Sequence, residues 1–342
     1  MEQIHQSILK WYENNGRKAL PWRTLHEKFK IHASKEYLDK LKNIHPAYGV
    51  YISEIMLQQT QVKSVLQNYY FQFLNQFDSL AKLANASEDE VLKAWQGLGY
   101  YTRARNLHKS AKICVKEFNS MLPSNVQELQ KLPGIGTYSA GAIACFGFLQ
   151  NEAFVDANIK RVLSRFYKLE NASLKLLFQK AKEFLNHSNS FEHNQALLDI
   201  GALVCLPKNA KCQICPLFEF CGAKFDYEKY TIKKKIAYEN LDLSLYVVLK
   251  NNQFILQKSK QKLYFNIYNF LELKNHKNAI YIGKFKHSYT KYKITAKVFF
   301  VQDDSFEIKG EELFTYEQLS NLALSKLALK TLEIYKKYIH AL

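Results

Sequence analysis

The sequence has few of the residues that mark disulfide-bonded, fibrous or membrane-spanning chains. Its 342 residues include 6 cysteines, 6 prolines and 12 glycines, too few for a disulfide framework or a glycine repeat in a chain of this length. The longest apolar run, residues 140–149, contains two glycines and is too short to cross a bilayer. The first thirty residues lack a continuous apolar segment, which predicts no secretory signal and a cytoplasmic chain.

Acidic residues are also in deficit. Lys and Arg outnumber Asp and Glu by 48 to 31, which gives a formal net charge of +17. Such an excess suits a polyanionic partner, either nucleic acid or an anionic membrane surface, although a generally lysine-rich proteome would produce the same count. Apolar residues make up 47% and charged residues 23%, an ordinary globular composition whose length allows two domains.

The hydrophobic pattern changes along the chain. Up to residue 225 the apolar residues recur at helical spacing, as at Ile52, Ile55 and Val62, which predicts a mainly α region. Residues 243–249 and 254–256 flank Asn251-Asn252, the pattern of a β-hairpin. Strands at 279–282 and 294–301 and a last helix complete a predicted α+β region. We therefore predict a helical domain over 1–225, a basic linker over 226–240 and an α+β domain over 241–342. The linker includes the basic run 229–235, interpreted as solvated, with DNA contact as the less favoured alternative.

Four of the six cysteines lie close together, with the spacing C-x6-C-x2-C-x5-C over Cys205, Cys212, Cys215 and Cys221. Four thiolates in a cytosolic chain indicate zinc or an iron–sulfur cluster. Zinc sites usually use two CxxC pairs, whereas here the central pair alone is that close. The spacing therefore favours a [4Fe-4S] cluster over zinc and over four unrelated core cysteines.

Two further features are candidates for function, a glycine turn and a pair of carboxylates. Gly134 and Gly136 form a glycine turn ahead of a predicted helix, where backbone amides can approach a phosphate, although a simple helix–helix turn has the same pattern. Glu54 and Asp156 provide two carboxylates, and carboxylates in different environments can divide the roles of acid and charge stabiliser. The alternative for Glu54, which stands where a helix is predicted to begin, is an exposed first-turn glutamate favoured by the helix dipole.

The strings SEIMLQQTQV (residues 53–62), LPGIGTYSAGA (132–142) and VDAN (155–158), together with the cysteine spacing, resemble adenine DNA glycosylases of the MutY type, in the endonuclease III superfamily. The resemblance implies a helix-hairpin-helix glycosylase fold with two helical lobes and a structural [4Fe-4S] loop. It also implies base-excision repair of duplex DNA, in which adenine mispaired with 8-oxoguanine or guanine is removed. A monomer at the nucleoid, with no membrane partner, is expected.

The resemblance also implies catalytic roles. In cleavage of the N-glycosidic bond, Glu54 is the general acid, Asp156 stabilises the sugar cation or captures it covalently, and Tyr138 and Asn158 support them. Members that also act as lyases carry a lysine two residues after the second glycine, where this chain has Tyr138. Because a phenol cannot form a Schiff base, a monofunctional enzyme is predicted. Burial should raise the pKa of Glu54 toward neutrality.

The target base must leave the duplex to be cleaved. By the resemblance, Gln59 and Tyr100 fill the gap and probe the opposite base, while Gly134 and Gly136 bind phosphate. The adenine pocket is formed by Trp22, Arg23 and Asp199. Relatives lack most of residues 24–45, a Lys- and Glu-rich segment that we expect to be a surface excursion.

The C-terminal region resembles the MutT-like (Nudix-like) recognition domain of the same family more faintly. It lacks the Arg-Glu-x-x-Glu-Glu signature of nucleotide hydrolases, so binding is expected. The 8-oxoguanine loop matches residues 285–291, where Tyr289 would pack and Thr290 would hydrogen-bond the damaged base. Lys291 replaces a final histidine. The alternative is a basic hairpin loop without base contact.

Two other functions stay open at this point. One is an endonuclease III-like glycosylase-lyase for oxidised pyrimidines, which Tyr138 disfavours. The other is a non-catalytic cluster-bearing DNA-binding protein, which the presence of both Glu54 and Asp156 disfavours.

Overall fold

The computed structural model describes residues 1–230, 237–261 and 263–341. It divides into two compact units. The first joins residues 1–85 to the region that begins at residue 106, and the second joins residues 86–105 to the C-terminal region. Of the predicted linker 226–240, residues 231–236 lie outside the described residues, so the domain limits at 225 and 240 stay predictions. Within the described chain, no helix combines the length and the apolarity needed to span a membrane.

The helices follow the periodicity expected from the sequence. They are α1 (Glu2–Asn15), α2 (Lys35–Leu41), α3 (Pro46–Leu57), α4 (Val62–Asn68), α5 (Tyr70–Gln76), α6 (Leu80–Asn85), α7 (Glu88–Ala94), α8 (Thr102–Glu117), α9 (Val126–Leu129), α10 (Thr137–Phe148), α11 (Ala157–Phe166), α12 (Leu174–Phe184), α13 (Ser190–Asp199) and α14 (Lys326–Ile339). A π-helical turn, Ile200–Val204, continues α13. Short 3₁₀-helices include Pro21–Arg23 and Tyr227–Tyr230.

Helices α3 and α10 form the centre of the first unit. Both are buried on nearly all sides, which is typical of core helices. They pack closely because Gly147 of α10 faces Ala47 of α3, so near that a Cβ at residue 147 would lie 2.9 Å from the Ala47 Cα. This helix pair carries Glu54 and Tyr138.

The segment 24–45, expected to be a surface excursion, is anchored to the core. It forms a 3₁₀-helix, Glu27–His32, followed by α2. Phe29 stacks on Phe191 with ring centroids 4.1 Å apart, and Leu25, Leu41 and Ile44 are buried. These four apolar residues therefore belong to the core of the first unit, while Ile31 and most Lys and Glu side chains of the segment face solvent.

The second unit is built on a mixed sheet. Its strands are β1 (Glu239–Lys250), β2 (Gln253–Lys258), β3 (Tyr268–Asn269), β4 (Leu271–Glu272), β5 (Ile280–Tyr289), β6 (Tyr292–Gln302) and β7 (Glu312–Phe314). The main order is β3-β2-β1-β6-β5, with β4 paired to β1 and β7 to β2. Strands β1 and β6 are parallel, and the other pairs are antiparallel.

The predicted hairpin at Asn251-Asn252 is confirmed. Both asparagines have positive φ, at 50° and 60°, as a tight two-residue hairpin turn requires. Helix α14 buries Leu327, Ala328 and Tyr335 against one face of the sheet. The α+β architecture expected for this region is therefore present.

Side-chain contacts attach residues 86–105 to the sheet. The Lys258 ammonium lies 2.8 Å from a carboxylate oxygen of Asp89, and the Asn266 side chain donates to Glu88 over 2.7 Å. The Arg105 guanidinium donates to the Phe265 carbonyl over 2.9 Å. As a result, Tyr100 belongs to the same compact unit as residues 285–291, the predicted 8-oxoguanine loop, which we call the reading loop.

Candidate active site and nucleic-acid interface

Glu54 lies on α3, eight residues after its first residue Pro46 and not at the helix start predicted from the sequence, and is 6% exposed. Its Oε2 accepts a hydrogen bond of 2.7 Å from the Tyr138 hydroxyl, which α10 supplies. Burial raises the pKa of Glu54 to about 7 against the opposing effect of that hydrogen bond, and the negative charge of Asp156 adds to the rise. A carboxyl group in this setting holds a proton at neutral pH in a substantial fraction of molecules, as a general acid requires.

Asp156 has a different environment. It caps α11, where its Oδ1 accepts from the Ile159 backbone N–H over 2.6 Å and its Oδ2 accepts from the Asn158 side chain over 2.9 Å. Burial raises the pKa of Asp156, and these hydrogen bonds oppose the rise. A helix N-terminus also stabilises a negative charge. The two carboxylates thus differ as an acid and a charge stabiliser should.

A hydrogen-bond chain leads from Asp156 to the cysteine loop. The Asn158 side chain accepts from Arg161 Nη2 over 2.9 Å, and Arg161 Nε donates to the Cys205 carbonyl over 2.7 Å. Arg161 Nη2 also donates to the Gly201 carbonyl. A Cβ at residue 201 would lie 2.6 Å from the Asn158 Cβ. No sequence motif marks Arg161, so its role here was not predicted.

The predicted adenine-pocket residues form an ion-paired group. Asp199, at the end of α13, accepts two hydrogen bonds from Arg23, of 2.8 and 2.9 Å. It accepts two more, of 2.8 Å each, from the backbone N–H and Nε of Arg17. Burial alone would raise the pKa of Asp199, but the two arginines outweigh it and hold that pKa below its usual value. Trp22 packs edge-on to Tyr70. Arg17 carried no sequence signal.

The four cysteines of the predicted cluster line one cavity, together with apolar residues and Arg165. Within the described residues, no three His, Cys, Asp or Glu side chains converge closely enough to hold a single metal ion. A cavity lined by four thiol groups offers the ligands that an iron–sulfur cluster binds. Arg165 Nη1 donates to Cys205 Sγ over 3.2 Å and to the Leu206 carbonyl over 2.7 Å. The donor set therefore fits an iron–sulfur cluster.

The two glycines of the predicted phosphate turn serve different purposes. Gly134 has a φ of +80°, and a Cβ there would lie 2.9 Å from the Asn106 Cβ. Gly136 caps α10 without a side-chain hydrogen bond, and a Cβ there would meet nothing within 4 Å. Gly134 is thus required by the backbone, whereas Gly136 leaves the first amides of α10 open to an anion.

Gln59 and Tyr100, the two wedge residues predicted to fill the gap left by the flipped base, both have a positive backbone φ angle. Gln59 has a φ of 60° and Tyr100 a φ of 48°, and positive φ is uncommon outside glycine. Gln59 is exposed beyond the end of α3, and Tyr100 follows Gly99, which also has positive φ. Strained positions of this kind cluster at functional sites. The sequence did not predict the strain.

The predicted reading loop is held by a tyrosine cluster. The Tyr289 ring lies 4.7 Å from the Tyr264 ring and 6.0 Å from that of Tyr100. The Tyr264 hydroxyl shares a hydrogen bond of 2.8 Å with His287 Nε2, and burial lowers the pKa of His287 to about 4. Thr290 is exposed, with a φ of 53°. Tyr264 is a further residue that the sequence analysis missed.

Lys291, which replaces a histidine of the family pattern, has a partner. Its ammonium lies 2.5 Å from a carboxylate oxygen of Glu239 at the start of β1, and its carbonyl accepts the Glu239 backbone N–H over 2.8 Å. The side chain is half exposed. Lys291 therefore closes the base of the loop instead of extending freely into solvent.

The chain is similar to known base-excision repair proteins. The family model of the HhH-GPD superfamily base excision DNA repair proteins matches residues 52–187. The adenine DNA glycosylase of Buchnera aphidicola subsp. Baizongia pistaciae (strain Bp) is 41% identical over 286 residues, 82% of this chain and 69% of that protein. The human adenine DNA glycosylase is 38% identical over 224 residues, 64% of this chain and 39% of that protein.

Solved structures share the fold of the first unit. A thermostable thymine-DNA glycosylase superposes with a TM-score of 0.56 at 24% identity, over 65% of this chain and 97% of that one. A trapped endonuclease III–DNA covalent intermediate gives 0.51 at 15% identity, over 65% and 94%. With the buried acid, the capping aspartate and the glycine turn in position, the chain belongs to the adenine DNA glycosylase family of the HhH-GPD superfamily and is a DNA glycosylase.

Proposed function

We propose that this chain removes adenine from duplex DNA where the base is mispaired with 8-oxoguanine or guanine, by hydrolysis and without lyase activity. The observation that carries the proposal is the buried Glu54, whose pKa is raised to about 7 and whose carboxylate is hydrogen-bonded to Tyr138. Tyr138 stands where lyase members of the superfamily carry their lysine.

The reaction uses the two carboxylates in sequence. Protonated Glu54 donates to a ring nitrogen of the flipped adenine, and the C–N glycosidic bond then breaks with its electron pair leaving on the base. The sugar becomes an oxocarbenium-like cation, which the Asp156 carboxylate stabilises. Water adds to the sugar carbon and returns a proton to Glu54, leaving an abasic site. Asn158 holds Asp156 in place through the 2.9 Å hydrogen bond.

DNA engagement is assigned to both units. In the first, the amides beyond Gly136 bind a phosphate and Gln59 enters the gap that the adenine leaves. In the second, Tyr100 acts as the other wedge, while Tyr289, Thr290 and Lys291 form the loop that reads the opposite base. Trp22, Arg23 and Asp199 belong to the wall of the adenine pocket, with the Arg23–Asp199 pair holding its shape.

We assign a [4Fe-4S] cluster to Cys205, Cys212, Cys215 and Cys221. When bound, the cluster supplies a covalent cross-link that orders the loop. The loop is also held by Arg161, which bonds the Cys205 carbonyl, and by Arg165, which bonds the Leu206 carbonyl. Anaerobic purification should give the broad visible absorption of a [4Fe-4S] cluster with about four irons per chain. Stoichiometric zinc would contradict the assignment.

The wider organisation follows from the same family. We propose a catalytic domain over 1–225, a linker over 226–240 and a recognition domain over 241–342. The protein is proposed to act as a monomer in the cytoplasm, at the nucleoid. Its net charge of +17 favours the DNA polyanion.

A single-turnover assay on three duplexes tests the activity. The substrates carry adenine opposite 8-oxoguanine, adenine opposite thymine, and an oxidised pyrimidine, and each product is analysed with and without hot alkali. We expect strand breaks in the first duplex alone, and only after alkali. Breaks at the oxidised pyrimidine without alkali, or an adduct trapped by borohydride, would instead establish a glycosylase-lyase.

The same substrates address the non-catalytic alternative. If Glu54→Gln excised adenine as fast as the unaltered chain, Glu54 would not be the acid and a binding function would be favoured. Loss of excision with duplex affinity retained supports the proposed role.

A further inference from the structure

One face of the β5–β6 hairpin carries four lysines. The antiparallel register pairs Lys284 with Lys297, Lys286 with Thr295 and Ser288 with Lys293. Directly paired residues, and residues two apart on one strand, point to the same side of a sheet. All four lysines are exposed. We call this set, Lys284, Lys286, Lys293 and Lys297, the lysine face.

Little negative charge balances the lysine face. The next strand, β1, runs parallel to β6 and places Asn240, Asp242 and Ser244 beside Lys293, Thr295 and Lys297. Asp242 is the acidic residue among these three residues of β1. Among the described residues none of the four lysines forms an ion pair, and Lys293 lies over the Tyr238 ring at 4.7 Å. Four positive charges thus oppose one negative charge.

This arrangement is unfavourable for the sheet itself. Like charges directly opposite each other, as at Lys284 and Lys297, destabilise a strand pair, and ordinary surfaces mix both signs. The other side of the hairpin supplies the packing, since Phe285 and Gly283 face α14. Folding therefore gives no reason for lysine at these four positions.

Protection of the sheet edge accounts for only half of them. Lysines on an edge strand prevent pairing with another chain, and β5 is at the edge of the sheet. However, Lys293 and Lys297 are on β6, which lies between β1 and β5. Lysines on an interior strand cannot block an edge. The set as a whole needs a ligand that rewards positive charge across both strands.

We propose that the lysine face binds the phosphate backbone of duplex DNA. Hydroxyl groups of Ser288 and Thr295 lie between the lysines in the register, and such groups donate to phosphate oxygens in protein–DNA contacts. The face also continues directly into the loop at Tyr289. It would add affinity that is independent of sequence, because phosphate contacts position a protein without reading bases. The proposal needs DNA as the partner but not the proposed mispair preference.

The test replaces all four lysines by glutamine in the full, cluster-loaded chain. Affinity for an undamaged duplex is measured between 50 and 200 mM salt. Each phosphate contact contributes about 0.9 to the slope of log K against log salt, so losing four should reduce the slope by about 3.6. The affinity at 50 mM salt should drop by about tenfold or more. The thermal midpoint should not fall, because charge repulsion is relieved.

A matched control removes the same charge from the same unit. Lys260, Lys274, Lys277 and Lys309 are exposed and lie outside the hairpin, so their replacement by glutamine should leave the slope within about one unit. An equal loss in both variants would show an effect of net charge alone. An unchanged slope in the first variant would show a merely solvated face. Either result overturns the proposal.

Single-turnover excision up to saturating duplex separates this proposal from the proposed activity. The lysine-face variant should need a higher duplex concentration for half-maximal excision, in proportion to its lost affinity. Failure of the chain to excise adenine at all would count against the proposed activity while leaving the salt dependence interpretable.

Discussion

The two units hold their functional residues in opposite ways. In the first, Glu54 and Asp156 are withdrawn from solvent and fixed by hydrogen bonds from helices. In the second, Thr290 is exposed and Lys291 half exposed, on a loop between strands. Acid catalysis requires a shifted pKa and therefore burial, whereas reading a base requires accessible groups. Changes at Glu54 or Asp156 should thus alter the chemical step, and changes in the loop of the second unit should alter which duplex is chosen.

The largest effect is expected at Glu54. Replacement by glutamine keeps the side-chain volume and removes the proton, so the single-turnover excision rate should fall by about 10²- to 10⁴-fold. Duplex affinity, measured by fluorescence anisotropy, should stay within a few fold. A rate within threefold of the unaltered chain would place the acid elsewhere.

The same variant should be more stable at alkaline pH. Burial raises the pKa of Glu54 from 4.5 in the unfolded chain to about 7. Below pH 4.5 the Glu54 carboxyl is protonated in both states and does not reduce the stability of the fold. As the pH rises toward 7, the carboxyl ionises more readily in the unfolded chain, so the folded state loses stability. At pH 8 the unfolding free energy of Glu54→Gln should exceed that of the unaltered chain by on the order of 3 kcal/mol. Its thermal midpoint should be higher accordingly. The difference should shrink toward zero near pH 4.5.

Substitutions of the two turn glycines should have different effects, on DNA binding at Gly136 and on stability at Gly134. Gly136→Ala meets no atom within 4 Å, so the thermal midpoint should stay the same while the added methyl group weakens duplex binding by about tenfold through a lost phosphate contact. Gly134→Ala is the matched control. With a φ of +80° and Asn106 in the way, it should cost about 1–2 kcal/mol of stability. A lower midpoint for Gly136→Ala would contradict this division.

A smaller shift should follow Tyr138→Phe. The hydroxyl of Tyr138 donates to Glu54 and lowers its pKa. Without it the pKa of Glu54 should rise, so the alkaline decline of the excision rate should move to higher pH. The ring contact with Phe154 is kept. A pH profile shifted to lower pH would show that the hydroxyl stabilises the protonated form instead.

The smallest effects are expected in the reading loop. Tyr264→Phe keeps the stacking on Tyr289 but loses the hydrogen bond to His287. It should reduce the preference for 8-oxoguanine over guanine opposite adenine by a few fold, with the maximal rate unchanged. Lys291→Gln should change the preference by less than twofold, since its ammonium is already paired with Glu239 and exposed ion pairs contribute little.

The sequence predicted those parts that depend on neighbours in the chain. Glu54, Tyr138 and Asp156 stand in short strings that the family resemblance marks, although the position of Glu54 late in α3 was not predicted. The hairpin turn at Asn251-Asn252 is likewise a local signal. The burial that gives Glu54 its pKa was expected from the chemistry, and the packing of α3 on α10 provides it.

What the sequence could not predict depends on distant contacts. Arg17 donates a hydrogen bond to Asp199, 182 positions away in the chain. Tyr264, which no sequence motif marks, shares a hydrogen bond with His287. The segment 24–45 looked like an excursion because its charged residues are numerous, while the stacking of Phe29 on Phe191 is visible only in three dimensions. Positive φ at Gln59 and Tyr100 is also set by tertiary structure.

The contacts of Gly201 limit which codon changes the gene can accept at this position. Its carbonyl accepts from Arg161, and any Cβ at this position would enter the space of Asn158. Every amino acid other than glycine carries a Cβ, so every missense change in this codon introduces the same clash. A lineage can therefore retain this arrangement only through silent substitutions at residue 201. A genome that fixed any other allele there would encode a DNA glycosylase in which Asn158 must move from its position in this structure.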